Sequence, residues 1–171
     1  KSYNGVAIIS RYPIEDVMCD LPGDPDDEQA RYIEATIAGT RVASIYLPNG
    51  NPAPGPKFDY KLAWMNRLYT RSQALLADEI PVVLGGDFNV IPQDIDCYDP
   101  PGWVGDALTR IESRAAFFKI CYAGYMDALR VLNPSGVHYT YWDYQAGAWQ
   151  RDNGVRIDHL LLSPEAGDRL V

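Results

Sequence analysis

The segment "VVLGGDFNV", residues 82–90, places a carboxylate and a carboxamide two positions apart at the end of an apolar run. If the extended backbone continues, residues i and i+2 face the same way, so Asp87 and Asn89 share one side. A carboxylate can take a proton from attacking water, while a neutral amide can bind a phosphate oxygen without repelling it. The pair is therefore a candidate site for phosphate ester hydrolysis. The alternative is an Asx-turn or helix N-cap, which both residue types favour.

A second carboxylate, Asp158, lies in the predicted strand "VRIDHLLLS", residues 155–163. Alternation along a strand places Asp158 on the same face as Leu160 and Leu162. A carboxylate among leucines needs a histidine, an arginine or a metal as its partner. The adjacent His159 points to the opposite face, so we assign it to packing or to the surface rather than to Asp158.

Aromatic and amide side chains supply further candidates. Tyr46 lies where a predicted strand breaks into a Pro/Gly loop, and Asn49 follows three residues later. A tyrosine in this position usually belongs to the core or its rim. In "YTYWDY", residues 139–144, Tyr141 and Trp142 either form cross-strand pairs or provide a platform on which a sugar or base stacks. The residue types alone leave both interpretations open.

These residues need a framework of strands and helices. Short runs rich in β-branched residues and bounded by turn formers predict strands, and apolar residues at helical spacing predict helices. The predicted strands are 5–10, 31–39, 41–48, 80–86, 138–144 and 155–163, and the predicted helices are 58–77, 112–124 and 125–133. Helices and strands alternate without a repeat or a linker, which indicates a single α/β unit. Strand ends at one edge of such a sheet collect ligands, so the candidate residues should converge there.

Composition restricts the function classes. With 171 residues and 47% hydrophobic content, the chain is long enough to bury the core of one domain. Its 15 basic and 23 acidic residues give a net charge of −8, which argues against binding nucleic acid by bulk electrostatics. An anionic substrate is then best met locally through a bound divalent cation. The sequence has neither an apolar run of membrane-spanning length nor a signal peptide pattern, which predicts a soluble cytoplasmic protein.

Five segments in chain order resemble the exodeoxyribonuclease III group of the endonuclease/exonuclease/phosphatase superfamily: "NGVAIIS", "SIYLPNGNP", "LGGDFNVIPQDIDCYDP", "YTYWDY" and "RIDHLLLSP". "GDFN" is typical of the whole superfamily, whereas the "YLPNGNP" loop and the "NVIPQDIDCYDP" segment are specific to bacterial repair nucleases. The resemblance implies a four-layer α/β/β/α sandwich with two mixed sheets. It also implies a Mg²⁺- or Mn²⁺-dependent hydrolase acting in DNA repair, a monomer when complete. Its substrate would be duplex DNA with abasic sites or 3′ ends, cut as 3′-5′ exonuclease and abasic-site endonuclease.

The resemblance also implies a role for each candidate residue. Asp87 would activate the water, Asn89 would hold the phosphate or the leaving oxygen, and both would be metal ligands. Tyr46 would donate a hydrogen bond to the phosphoryl group, and Asp158 would orient a histidine.

Three further residues would contact DNA. Asn49 would contact the DNA backbone, and Tyr141 and Trp142 would line the pocket for the abasic sugar.

This sequence departs from the family at both ends. Family members begin with a strand that carries an asparagine, followed by a glutamate that is the main metal ligand, and they end in a Ser-Asp-His segment. We expect residues 1–171 to be the central portion of a single domain, incomplete at both termini and inactive alone. Two alternatives stay open: a phosphatase or phosphodiesterase acting on lipids or small molecules, and a DNA-binding remnant without catalysis. The aromatic strand and the "YLPNGNP" loop favour DNA, and the net charge of −8 weakens the remnant hypothesis.

Overall fold

A computed structural model describes residues 4–171 as a mixed α/β fold. Its strands are β1 (Glu15–Met18), β2 (Tyr32–Ile37), β3 (Thr40–Tyr46), β4 (Val82–Asp87), β5 (Met126–Asp127), β6 (Tyr141–Trp142), β7 (Gly154–Val155) and β8 (Asp158–Leu162). Its helices are α1 (Pro56–Ala77), α2 (Ile111–Tyr122), α3 (Ala128–Leu132) and α4 (Pro164–Gly167), with short 3-10 turns at Asp94–Asp96 and Pro100–Trp103. Within the described part of the chain, no helix is long and apolar enough to cross a membrane.

Six strands form the main sheet in the order β1-β2-β3-β4-β8-β5, and β6 and β7 form a small second sheet. Within the main sheet β3 and β4 are parallel, and the other neighbouring strands are antiparallel. Parallel neighbours need a long crossover, which α1 supplies between β3 and β4. The apolar strand β4 lies inside the sheet between β3 and β8.

The largest core cluster lies between the main sheet and the helices α1 and α2. Strand β3 alternates buried and half-buried residues, as expected when one face of a sheet packs on a core. The cluster joins sheet residues to helix residues, among them Ala43, Ile45, Leu84, Leu161, Trp64, Met65, Leu68, Phe117 and Ile120. Val82 and Leu84 of β4 pack in this core, and the strand ends at Asp87, at the edge of the sheet.

Most predicted elements are confirmed. The mixed α/β fold with two sheets is present, and the strands predicted at 31–39, 41–48 and 80–86 are β2, β3 and β4. The helices predicted at 58–77 and 112–124 are α1 and α2. These elements share a long, regular periodicity or a continuous apolar run, which are the strongest local signals.

The predicted strand at 5–10 is wrong. Beta-branched residues favour a strand only where a neighbouring strand pairs with them and one face is buried. Among the described residues nearby, only Asn4 forms a bridge, with Ala30, and the Ile9 side chain is 96% exposed.

Three further segments differ in extent from the prediction. Only Tyr141–Trp142 of the predicted strand 138–144 is extended and paired, and the predicted helix 125–133 begins at Ala128, after the short strand β5. The predicted strand 155–163 is interrupted because the chain passes from the small sheet to the main one: β7 pairs with β6, whereas β8 pairs with β4.

Candidate active site

Three polar side chains meet where the central strands of the main sheet end. Tyr46 ends β3, Asp87 ends β4 and Asp158 begins β8. In register, Tyr46 is paired with Asp87 across the parallel strands, and Asp87 is paired with Asp158 across the antiparallel strands. The three strand positions therefore meet at one edge of the sheet, as predicted, although Asp158 does not line the cleft there. Their chemical roles stay predictions.

A cleft of about 340 Å³ opens at this edge of the sheet. Five of the seven candidate residues line it: Tyr46, Asn49, Asp87, Asn89 and Tyr141. The other two lie elsewhere. Asp158 is exposed beside Asp87, and Trp142 lines a different cavity on the hairpin of β6 and β7, where its indole nitrogen donates to Asp152 at 2.9 Å.

The glycines before Asp87 allow β4 to approach its neighbours closely. Gly86 has a φ of 136°, and a Cβ atom there would lie 2.1 Å from the backbone oxygen of Ile45. A side chain at this position would force β4 away from β3. Gly86 therefore maintains the register that brings Tyr46 beside Asp87.

Asp87 and Asn89 form an Asx-turn whose side chains also face the cleft. The Asn89 backbone N–H donates to Asp87 Oδ1 at 2.8 Å, and Asn89 Nδ2 donates to Asp87 Oδ2 at 3.1 Å and to the Leu47 oxygen at 2.9 Å. Asn89 has a φ of 47°, a left-handed conformation that asparagine tolerates. Asn49 Nδ2 donates to Asn89 Oδ1 at 3.1 Å. The Asx-turn is thus part of the site. Asn89 uses its two side-chain amide hydrogens to bind the Asp87 carboxylate and the Leu47 backbone oxygen.

The electrostatic environment gives Asp87 the properties of a general base. Burial raises its pKa to about 6, and the nearby Asp158 carboxylate adds to the rise. The backbone hydrogen bond from Asn89 and the charges of Lys61 and Arg31 act in the opposite direction. A carboxylate with a pKa near 6 is ionised at neutral pH and is still basic enough to accept a proton from water.

Lys61 is a site residue that the sequence analysis missed. Its side chain is fully buried, and its ammonium donates to the backbone oxygens of Asn49 at 3.0 Å and Asn89 at 2.5 Å. Burial lowers its pKa to about 7, while Asp106 and Asp87 oppose that shift. Lys61 thus ties together the two loops that carry the amides.

A sequence signal for Lys61 was present. It lies three residues after Phe58 and four before Met65, on the apolar face of α1. A lysine on such a face needs buried acceptors.

Two other charged groups border the cleft and were also missed. The Arg31 guanidinium lies 4.9 Å from the centre of the Tyr46 ring and donates to the Tyr46 backbone oxygen at 3.1 Å. On the other side, Asp106 accepts from Asn51 Nδ2 at 3.0 Å and from the Leu108 N–H at 2.8 Å. Arg31 therefore positions the ring of Tyr46, and Asp106 adds a second carboxylate to the cleft wall.

The argument that leucines bury Asp158 is wrong. Asp158 is exposed, and Leu160 on the same face is 44% exposed, so solvent rather than a partner side chain can satisfy the carboxylate. Its backbone N–H donates to Thr140 Oγ1 at 3.0 Å. The face of the main sheet opposite α1 is incompletely covered here, which alternation in the sequence could not show.

His159 is a packing residue, as predicted. Its ring lies 5.6 Å from that of Phe88 and 4.7 Å from that of Phe117, measured between ring centres. Nδ1 lies 3.0 Å from an Arg156 nitrogen and Nε2 lies 2.9 Å from the Val90 oxygen. Because arginine only donates, Nδ1 must accept and Nε2 must carry the proton. Burial, aided by the Arg156 charge, lowers the His159 pKa to about 4, so the ring stays neutral.

The site offers few metal ligands of its own. No group of three or more histidine, cysteine, aspartate or glutamate side chains suited to a metal occurs within residues 4–171. Asp87 provides a carboxylate oxygen, and Asn89 provides an amide oxygen that already accepts from Asn49. Mg²⁺ is commonly held by only one or two carboxylates together with water and substrate phosphate. Asp87 and Asn89 fit part of such a coordination sphere.

Comparison with known proteins decides the family. Residues 1–169 match the model of the endonuclease/exonuclease/phosphatase family. The chain belongs to this family. Family members are in general metal-dependent nucleases, and the predicted resemblance is confirmed.

Individual family members agree with this assignment. The chain is 31% identical over 173 residues to an exodeoxyribonuclease of Bacillus subtilis, covering 99% of this chain and 67% of that protein. The structure resembles the 3′-5′ exonuclease NExo of Neisseria meningitidis, with a TM-score of 0.90 and 40% identity over 93% of this chain and 62% of that one. NExo is also described as a 3′ phosphatase and has been solved with a product DNA hairpin. An AP endonuclease of Archaeoglobus fulgidus gives a TM-score of 0.86 and 35% identity over 92% of this chain and 61% of that one. The chain thus spans about two thirds or less of the length of each of these family members.

Proposed function

We propose that this chain carries the central part of the active site of a DNA repair nuclease that hydrolyses phosphodiester bonds in duplex DNA. The observation that carries the proposal is the half-buried Asp87, with its raised pKa, beside Tyr46 at one edge of the sheet. The names of its relatives support the substrate class. We further propose that residues 1–171 are a portion of one domain, active on abasic sites and 3′ ends when the domain is complete.

In the proposed reaction, Asp87 acts as the general base. Its carboxylate takes a proton from a water molecule as the water oxygen bonds to phosphorus. The bond between phosphorus and the leaving oxygen then breaks, and the leaving oxygen takes a proton from solvent. Tyr46 donates its phenolic hydrogen to a phosphoryl oxygen, which stabilises the negative charge that develops there. Arg31, beneath the Tyr46 ring, holds that donor in place.

The two amides have different roles in this scheme. Both Asn89 amide hydrogens are used within the protein, so Asn89 is a positioning residue for Asp87. Asn49 is exposed and uses one amide hydrogen on Asn89, which leaves the second for a DNA phosphate. We propose that Asp87 and Asn89 would hold a divalent cation, Mg²⁺ or Mn²⁺, which would supply positive charge to offset that of the phosphate. Asp158 would orient a histidine, and Tyr141 and Trp142 would line the pocket for an abasic sugar.

The test is product analysis on defined substrates. The complete gene product is incubated with a duplex carrying one abasic site, with a duplex carrying a free 3′ end, and with a phosphoinositide, each with Mg²⁺, Mn²⁺ or a chelator. We expect metal-dependent cleavage of both duplexes and its loss in Asp87→Asn. Hydrolysis of the phosphoinositide alone would support the phosphatase alternative. Salt-sensitive DNA binding without cleavage would support the binding remnant.

A further inference from the structure

A second cavity of about 290 Å³ adjoins the cleft. We call it the flanking pocket. Tyr98 and Trp103 from the segment after β4 form one wall, and Tyr141, Arg151 and Asn153 from the hairpin of β6 and β7 form the other. Trp103 and Tyr141 also line the cleft. A ligand held in the cleft can therefore extend into the flanking pocket along these two side chains.

The walls of the flanking pocket present accessible aromatic rings. Tyr98 is 43% exposed and Tyr141 is 39% exposed, and Trp103 is half-buried between the two cavities. Stacking on an aromatic ring binds any nucleobase and needs no net positive charge. Because the chain has a net charge of −8, bulk electrostatics do not attract a polyanion to its surface. Stacking on aromatic rings can supply binding affinity outside the cleft.

Besides the aromatic residues, four polar residues line the pocket: Asp143, Gln145, Arg151 and Asn153. Asn153 is half-buried, and within the part of the chain that the structure describes its side-chain amide makes no hydrogen bond. It therefore has a donor and an acceptor available for the polar edge of a ligand. Arg151 is exposed and donates through one nitrogen to the Ala146 backbone oxygen, so its other N–H groups face the pocket or solvent. Aromatic walls with an amide at the edge match a heterocyclic base better than an alkyl chain or a simple anion.

We propose that the flanking pocket binds one unpaired nucleobase of the substrate, that of the nucleotide next to the scissile phosphate. The base stacks against Tyr98 and Trp103, and its polar edge bonds to Asn153. The volume of about 290 Å³ is at the lower end for ligand pockets, which suits a single base rather than a base pair. This inference rests on the proposed function, because the cleft must hold the adjoining phosphate. It predicts a preference for a frayed or mispaired nucleotide beside the cleavage point.

Binding to the purified 171-residue chain tests the proposal without catalysis. The chain is titrated with deoxyadenosine 5′-monophosphate, thymidine 5′-monophosphate and deoxyribose 5-phosphate while the indole N–H signals are followed by NMR. We expect both nucleotides to shift the Trp103 signal saturably and more strongly than the sugar phosphate, which lacks a base and can contact Trp103 only from the cleft. Equal shifts from all three ligands would overturn the proposal, because the phosphate and not the base would then be recognised.

Variants separate the flanking pocket from the cleft. Tyr98 lines the flanking pocket and not the cleft, so Tyr98→Ala should weaken nucleotide binding at least fivefold, whereas Tyr98→Phe keeps the ring and should bind as the parent does. Tyr122→Ala is the control, because that ring is 85% exposed and lies on α2, outside both cavities. Unchanged affinity in Tyr98→Ala would refute the stacking role. Because these titrations measure binding and not cleavage, a failure of the proposed hydrolysis in the duplex assays is distinguishable from a failure of the pocket.

Discussion

Asp87 and Asp158 occupy directly opposite positions of the antiparallel pair β4 and β8, so two carboxylates adjoin at the mouth of the cleft. Asp87 is half-buried and Asp158 is exposed. The pair is asymmetric: water screens the outer charge, while the inner carboxylate has its pKa raised to about 6 by burial and by its neighbour. This asymmetry supports Asp87, rather than Asp158, as the proposed general base.

Asp158→Asn should lower the pKa of Asp87. The substitution removes a negative charge that disfavours ionisation of Asp87 but leaves its burial unchanged, so the remaining value should still exceed the ordinary 3.8. The measurement is an NMR titration of the Asp87 carboxyl carbon. Asp168→Asn, an exposed change at the end of α4, is the matched control. An unchanged Asp87 pKa would mean that solvent screens Asp158 completely.

Asp87→Asn should stabilise the fold at neutral pH. A carboxyl whose pKa rises from 3.8 in the unfolded chain to about 6 in the fold favours its protonated form, so folding is penalised above pH 6 and not below pH 4. At 1.36 kcal/mol per pKa unit the penalty is at most about 3 kcal/mol, and solvent screening reduces it to about 1–2 kcal/mol. Urea denaturation at pH 4 and pH 7.5 measures the difference. A variant equally stabilised at both pH values would contradict the titration argument.

The same substitution should remove cleavage by the complete protein while DNA binding stays within a few-fold. It deletes the base and leaves the contacts to phosphate and sugar. Asp158→Asn should be milder, since it removes a neighbouring charge and not the base. Single-turnover cleavage and equilibrium binding of an abasic duplex, measured side by side, separate the two effects. Equal and complete loss in both variants would show that Asp158 does more than orient a partner.

Lys61→Met should destabilise the chain and loosen the site. Methionine fills a similar volume but leaves the backbone oxygens of Asn49 and Asn89 without their donor, at a cost of about 2–4 kcal/mol. The exposed Lys57, at the start of the same helix, provides the control variant Lys57→Met. Urea denaturation measures stability, and the amide side-chain NMR signals of the two asparagines report the site. If both variants lose the same stability, the buried ammonium is not what joins the loops.

His159→Gln should make the fold less sensitive to acid. The ring is held neutral with a pKa near 4, while an unfolded histidine titrates near 6.5, so the unfolded state binds more protons between these values. The stability of the parent chain should therefore fall as pH drops from 6.5 to 4. In the variant, the histidine contribution to the loss of stability between pH 6.5 and 4 is absent. Its overall stability is lower because loss of the ring leaves a gap beside Phe88 and Phe117. His138→Gln, a change outside this core, should keep the parent's acid response, and identical pH profiles for the parent and His159→Gln would refute the assignment.

The elements whose signals are local could be predicted from the amino-acid sequence alone. Helical spacing of apolar residues gave α1 and α2, a continuous apolar run gave β4, and the residue types at its end gave Asp87 and Asn89 as candidates. The motifs also pointed to the correct family. These features depend on periodicity and residue chemistry within a short window, which the sequence contains in full.

Which distant residues share an environment could be seen only in the folded chain. Strand register placed Tyr46, Asp87 and Asp158 side by side, and the packing of α1 brought Lys61 beneath the two amide loops. The degree of burial also differs between the two carboxylates: burial raises the pKa of Asp87, whereas Asp158 is exposed to solvent. Pairing, desolvation and the path of residues 155–163 between two sheets depend on partners far away in the chain, so no local pattern specifies them.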